Sequence, residues 1–233
     1  MIYIKEKNME LEDVIKILTD NSKPYSIFLY GSKATFSDNK DSDCELGIIY
    51  EENNYVSRKV IEDLIKDNNY SIFPFKLKDV LNYDIDTPFQ KNIYITTLIN
   101  GGAKTIYGEK VLETLNPPNI SIDDLLADIN FHLGIALSSV KVYKTNNMRL
   151  ANELFYKSCF YSTRDLIYSK TKELCISYNE IYKKSQNIDI PNEYRELLEI
   201  AYKLRNEKLT DVESVVYFKN ITYINKFILK HIV

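Results

Sequence analysis

Residues 29–50, LYGSKATFSDNKDSDCELGIIY, decide how the first half of this chain folds. An apolar run over residues 25–30 ends at Gly31-Ser32. A loop rich in Ser, Asp, Asn and Lys follows, and a second apolar run opens at Asp43-Cys44-Glu45. Apolar runs of this length bounded by turn residues read as buried strands, and the polar link between them has turn chemistry. Side chains at i and i+2 of a strand point to one face. Asp43 and Glu45 therefore share a face, opposite Cys44 and Leu46. A solvated hairpin edge gives the same alternation, so the pattern gains meaning from what surrounds it.

Outward from this hairpin the grammar is mixed, then purely helical. Leu11, Val14, Ile15 and Leu18 keep helical spacing over residues 9–20. Val60, Leu64 and Ile65 mark a second helix over residues 56–66, and residues 70–75 read as a third strand. Pro88 opens a helix closed by Gly101-Gly102, and residues 103–107 read as a short extended stretch. Asn116-Pro117-Pro118-Asn119 then interrupts the chain, because neither proline can continue a helix. Beyond it, Ser121 and Asp124 form a capping-box pattern. The 3.6 period predicts helices near 121–143, 148–171, 177–186, 191–208 and 212–231, and no strand after about residue 110. The expected architecture is an α/β N-terminal domain with a small mixed sheet, residues 1–116, followed by an all-α helical bundle, residues 119–233.

Composition narrows the classes. With 233 residues, 45% apolar and 27% charged, the chain has the make-up of a globular protein able to bury real cores. A formal net charge of −3 and the lack of a basic, aromatic-interleaved stretch argue against a nucleic-acid partner. Cys44, Cys159 and Cys175 are odd in number and form no CxxC pair, which points to a reducing, cytoplasmic setting rather than a disulfide framework. No uninterrupted apolar run approaches the roughly 18 residues of a membrane span. The 19 tyrosines read as compositional bias. Two isolated histidines, His132 and His231, give no basis for a Ser-His-Asp triad or a His-rich metal site.

The hairpin can do chemistry. Gly31 lets backbone approach a ligand closely. Ser32 offers a hydroxyl and an N–H to a phosphate oxygen, Lys33 adds charge, and amides opening a helix there would add a positive dipole. Asp43 and Glu45 on one face can hold Mg²⁺, with triphosphate oxygens and water completing its shell.

The pattern Gly-Ser, a spacer of about ten residues, then Asp-x-(Asp/Glu) resembles the nucleotidyltransferase superfamily that includes DNA polymerase beta. The chain keeps Gly31, Ser32, Ala34, Ser42, Asp43 and Leu46 of that pattern. It has Thr35 where the family often has Arg, and Glu45 in place of the more usual Asp, as in kanamycin-type enzymes. The resemblance implies Asp43 and Glu45 as catalytic metal ligands, Gly31, Ser32 and Lys33 as nucleotide-binding residues, Mg²⁺ as cofactor, and ATP or another nucleoside triphosphate as substrate. It implies transfer of a nucleoside monophosphate to a hydroxyl of a small molecule or protein.

The family's third acid is missing. The corresponding strand, Tyr70-Ser71-Ile72-Phe73-Pro74-Phe75, carries no carboxylate, and Ser71 stands in the acid's place. Asp79, Asp84 and Asp86 follow it outside the strand, and by likeness to kanamycin-type enzymes Glu153 or Asp165 could supply a base from the helical half. A weakly active or inactive nucleotide-binding regulatory protein, of toxin–antitoxin-like type, is therefore the second expectation. The helical half resembles a HEPN-type bundle but lacks its Arg-x4-His motif, because Thr210 stands five residues after Arg205. Arg205 is expected as a surface or interface charge. The apolar stripe from Leu154 to Ile167 is expected in the core, with homodimerisation following if part of it is exposed.

Overall fold

The computed structural model describes residues 9–38 and 42–232. The chain divides into two compact units, Met1–Pro118 and Asn119–Val233. The first is a mixed four-stranded sheet with short helices on both faces, and the second is helical throughout its described length.

In the first unit, α1 (Leu11–Ser22) precedes β1 (Ser26–Tyr30), and a single turn, α2 (Gly31–Ala34), follows it. Then come β2 (Cys44–Tyr50), α3 (Arg58–Ile65), β3 (Tyr70–Lys76), α4 (Leu77–Leu81), α5 (Lys91–Thr97) and β4 (Ala103–Gly108). The sheet order is β3-β2-β1-β4. β1 runs antiparallel to β2 and β4, while β2 and β3 are parallel. β2 lies inside the sheet and is buried on both faces after Glu45, which accounts for its continuous apolar sequence.

Strand alternation sorts the core into two layers. Ile27, Cys44, Leu46, Ile48 and Ile72 pack with Val14 and Leu18 of α1 and Ile61 and Ile65 of α3. Phe28, Tyr30, Ile49 and Phe75 face the other way, against Val80, Ile95, Leu98 and Leu112. Each fully buried Ile or Leu here contributes about 1.5–3 kcal/mol relative to exposure, so a register slip would be costly. The helix expected from Pro88 begins later, at Lys91, where the Gln90 side chain accepts from the Ile93 N–H at 2.8 Å.

In the second unit, α6 (Ile122–Lys144) opens with the capping box: Ser121 Oγ accepts from the Asp124 N–H at 3.1 Å, and Asp124 Oδ2 accepts from the Ser121 N–H at 2.8 Å. α7 (Met148–Thr171) packs along α6, followed by α8 (Tyr178–Ser185), α9 (Asn192–Arg205) and α10 (Ser214–Thr222). The last expected helix runs on from α10 to the short α11 (Leu229–His231), widened to π-type turns over Tyr223–Ile228. α6 has the length and composition of a membrane span, and Leu125, Ile129 and Ala136 on it are buried in the bundle. Phe155, Cys159, Phe160, Leu166 and Ile167 of the α7 stripe are buried core. All three cysteines are free and buried. Arg205, expected as a surface or interface charge, is only 6% exposed, with its guanidinium over the rings of Tyr156 and Tyr178 at 5.8 and 5.2 Å.

Candidate active site

Strand register builds the site. Tyr30 of β1 pairs with Glu45 of β2, and Glu45 pairs with Ser71 of β3. These three therefore form one lateral row on the sheet face that carries Phe28 and Phe75. Asp43 lies just before β2, and its Oδ2 accepts from Ser71 Oγ at 2.5 Å. The two carboxylates and the serine expected in the third acid's place thus come together at one end of the sheet.

Gly31 stands directly beneath Glu45. Its φ of +72° lies in the left-handed region, and a Cβ built on it would fall 1.8 Å from Glu45 Oε2. The glycine makes room for a carboxylate of the chain itself. On the next turn the charge of Lys33 acts on Cys44, opposing the burial that raises the thiol's pKa, so Lys33 belongs to the same end of the sheet. The Ser32 carbonyl accepts from the Ser37 N–H at 2.9 Å and closes the turn. α2 has only four residues, which corrects the expected helix dipole: one turn does not sum to a macrodipole.

Two neighbours stand outside the hairpin pattern. Burial above all, then Tyr94 and Glu45, push the Tyr30 phenol's pKa far up, and its hydroxyl shares a hydrogen bond with that of Tyr94. The two rings meet edge-on, 6.4 Å apart at 88°. Tyr94 is also raised by burial, and Glu45 is the charge that acts on it. Tyr30 could have been found from its parity with Phe28. Tyr94 left no comparable signal, because only tertiary folding brings α5 to this row.

The other acids weighed for that role have local partners of their own. Asp84 ion-pairs with Lys91, and Asp86 and Asp79 act on the same lysine. Glu153 pairs with Lys157 at 2.5 Å. Asp165 is fully buried beside Arg164.

Two groups bear on metal binding. Asp43, Glu45 and Ser71 offer only oxygen donors, which suits a hard cation such as Mg²⁺. Asp128, His132 and Asp165 also lie within 4.8 Å of one another inside the bundle. There, however, Arg164 donates to Asp128 Oδ2 at 2.6 Å and to Asp165 Oδ1 at 3.0 Å, so a guanidinium already holds the cation's place. Burial would raise Asp128, but the His132 hydrogen bond and Arg164 outweigh it and hold its pKa low. Burial, reinforced by Asp128, pushes Asp165 well up despite Arg164. His132, stacked on Tyr161 at 5.2 Å, has its pKa depressed by burial.

Residues 12–100 match the family model described as Polymerase beta, Nucleotidyltransferase. The match covers most of the nucleotidyltransferase-like first unit, including every residue of the row, and ends before the helical half. No curated protein matches the chain in sequence. Among solved structures, the chain is similar to spectinomycin adenyltransferase AAD(9) from Enterococcus faecialis, determined with ATP and spectinomycin. The two share 16% identity at a TM-score of 0.55, over 94% of this chain and 96% of that one. That likeness extends the shared fold through the helical half.

Proposed function

We propose that the protein transfers a nucleoside monophosphate from a nucleoside triphosphate to a hydroxyl of a small molecule, with Mg²⁺ as cofactor. One observation carries this reading. Within the segment that matches the nucleotidyltransferase model, Asp43, Glu45 and Ser71 converge, and Gly31 is shaped to the Glu45 carboxylate. Asp43 and Glu45 would hold the magnesium, which when bound supplies charge neutralisation at the triphosphate. Gly31, Ser32 and Lys33 would bind the triphosphate, and Lys33 would stabilise charge developing there. In the reaction the acceptor oxygen forms a bond to the α-phosphorus, the bond to the leaving pyrophosphate breaks, and the acceptor proton passes to water or a triphosphate oxygen. Holding the reactants in line would supply most of the rate. The pairing of ATP with an aminocyclitol in the solved neighbour makes ATP and spectinomycin-like acceptors the first pair to try.

Ser71 favours a second reading. A hydroxyl in place of a third carboxylate supplies no general base, whose loss typically costs roughly 10²–10⁴-fold in rate. A nucleotide-binding regulatory protein with little turnover would keep the same site.

The deciding experiment is calorimetric titration of ATP, GTP, CTP and UTP, with and without Mg²⁺, into wild type and the Asp43→Ala, Glu45→Ala double variant. Mg-dependent binding lost in the variant supports the site. Binding that survives in the variant overturns it. Turnover of ATP with an aminocyclitol then separates transferase from regulator.

A further inference from the structure

α6 is more apolar than the surface it occupies. Between Asp128 and Lys141 it carries no charged residue on any side. A helix that is apolar all round is normally buried all round, yet only 33% of its most apolar 18 residues are buried. The exposed positions follow one seam. Ala127, Asn130, Gly134 and Leu137 are exposed at steps of three, four and three residues. Alternate steps of four and three continue the seam back to Asp123 and on to Lys141 and Lys144, all exposed. This spacing is the repeat of two helices packed side by side. Leu137, in its middle, is 53% exposed. Gly134 adds a separate observation. A glycine inside a helix weakens it relative to alanine, and a Cβ built on Gly134 would meet nothing within 4 Å. The packing of its own chain gives no reason for a glycine there. Close approach of a second backbone does.

We propose that α6 is the contact helix of a homodimer, pairing antiparallel with α6 of a second copy across a two-fold axis at Gly134. The seam is its own complement when reversed. Gly134 then meets the partner's Gly134, and Asn130 meets the partner's Leu137. Ala127 leaves room for the partner's Lys141, and Asp123 faces the partner's Lys144. A two-fold contact requires this reciprocity. The charges supply the orientation. Acids stand in the first turn of α6 and lysines in the last, so antiparallel pairing matches both ends at once, whereas parallel pairing sets like charges together. Each charge also suits the dipole of its own helix, and the double variant below separates the two roles. Asn130, a lone polar residue at the middle of the seam, fixes the register. The contact is independent of the reaction proposed above.

The test is sedimentation velocity of the full chain over a wide range of concentration, in wild type, Leu137→Glu, Asp123→Lys, Lys144→Asp and the Asp123→Lys, Lys144→Asp double variant. All three positions are exposed, so each variant should fold, and melting of the dilute chain checks that it does. Wild type should pass from monomer to dimer as concentration rises. Leu137→Glu puts a charge into the seam, and each single reversal sets like charges face to face at both ends. Each should weaken the dimer at least about tenfold. The double variant restores the pairs with signs exchanged. It should recover wild-type association while melting lower, because its charges now oppose the helix dipole. A wild type that stays monomeric at every concentration overturns the inference and leaves the seam to a different partner. A dimer that all four variants leave intact also overturns it, because the contact then lies on another face. Association that both single reversals weaken and the double variant does not recover refutes the antiparallel pairing.

Discussion

Gly31→Ala separates backbone strain from site geometry. The φ of +72° is left-handed, and an L-residue there costs roughly 1–2 kcal/mol. The new methyl would lie 1.8 Å from Glu45 Oε2 and 2.8 Å from its Cδ, so the two cannot coexist. The obstructing atoms are the far end of a flexible side chain at the sheet end, and Glu45 can swing away at little further cost to stability. The fold should therefore lose only about 1–2 kcal/mol, a drop of roughly 2–8 °C in melting temperature for a chain of this size. The site should lose far more, because Glu45 has left its place: Mn²⁺ and Mg-nucleotide affinity should fall at least about tenfold. Thermal denaturation and Mn²⁺ titration of Gly31→Ala, Glu45→Ala and their combination read both effects. Adding Gly31→Ala to Glu45→Ala should cost the same 1–2 kcal/mol of backbone strain and nothing more in binding. Full metal affinity in Gly31→Ala would refute the placement of Glu45 over this glycine. A stability loss beyond about 4 kcal/mol would refute the freedom assigned to its carboxylate.

Ser71→Asp should place a third carboxylate beside Asp43, lowering metal-free stability by up to about 1 kcal/mol through like-charge repulsion and enlarging the melting shift produced by Mn²⁺; a metal shift no larger than that of wild type contradicts the geometry. In the bundle, burial and Arg164 hold His132 below its unfolded value of about 6.5, with Asp128 opposing them. A depressed pKa gives stability that is present above the unfolded value and lost as pH falls through it. As pH falls below about 6.5 wild type should lose stability that His132→Phe, which keeps a ring against Tyr161, does not lose. Denaturation profiles that run parallel below that pH would dismiss the His132 contribution.

Much of this molecule was legible in periodicity. β1 and β2 follow from apolar runs flanked by turn residues, and the pairing of Tyr30 with Glu45 confirms the face assigned to the acids. The Ser121 cap and α6, α7, α8 and α9 follow from local rules that tertiary contacts do not override. Ser71 was placed by resemblance to the family's third strand, and the register puts it opposite Glu45. What escaped the sequence is tertiary in origin. Arg205 looked like a surface or interface charge because nothing local announces that Tyr156 and Tyr178 will cover it. The wide turn inside the last helix has no Gly or Pro to mark it. Gly31 was read as an opening for a ligand, whereas its empty Cβ position lies against Glu45, fourteen residues on. Tyr94 needed the whole sheet to be assembled before its neighbourhood existed.

The place of β4 in the sheet has a consequence for synthesis. β1 lies between β2 and β4, yet β4 begins at Ala103, well after β3 ends at Lys76. At about 5–20 residues per second, a nascent chain waits roughly two to six seconds between completing β3 and completing the strand that covers the far edge of β1. Over that interval the backbone of Ser26–Tyr30 offers unpaired N–H and C=O groups to any neighbouring strand. The carboxylate row is already in register by then, so its end of the sheet can form before the molecule is safe from sticking to its copies.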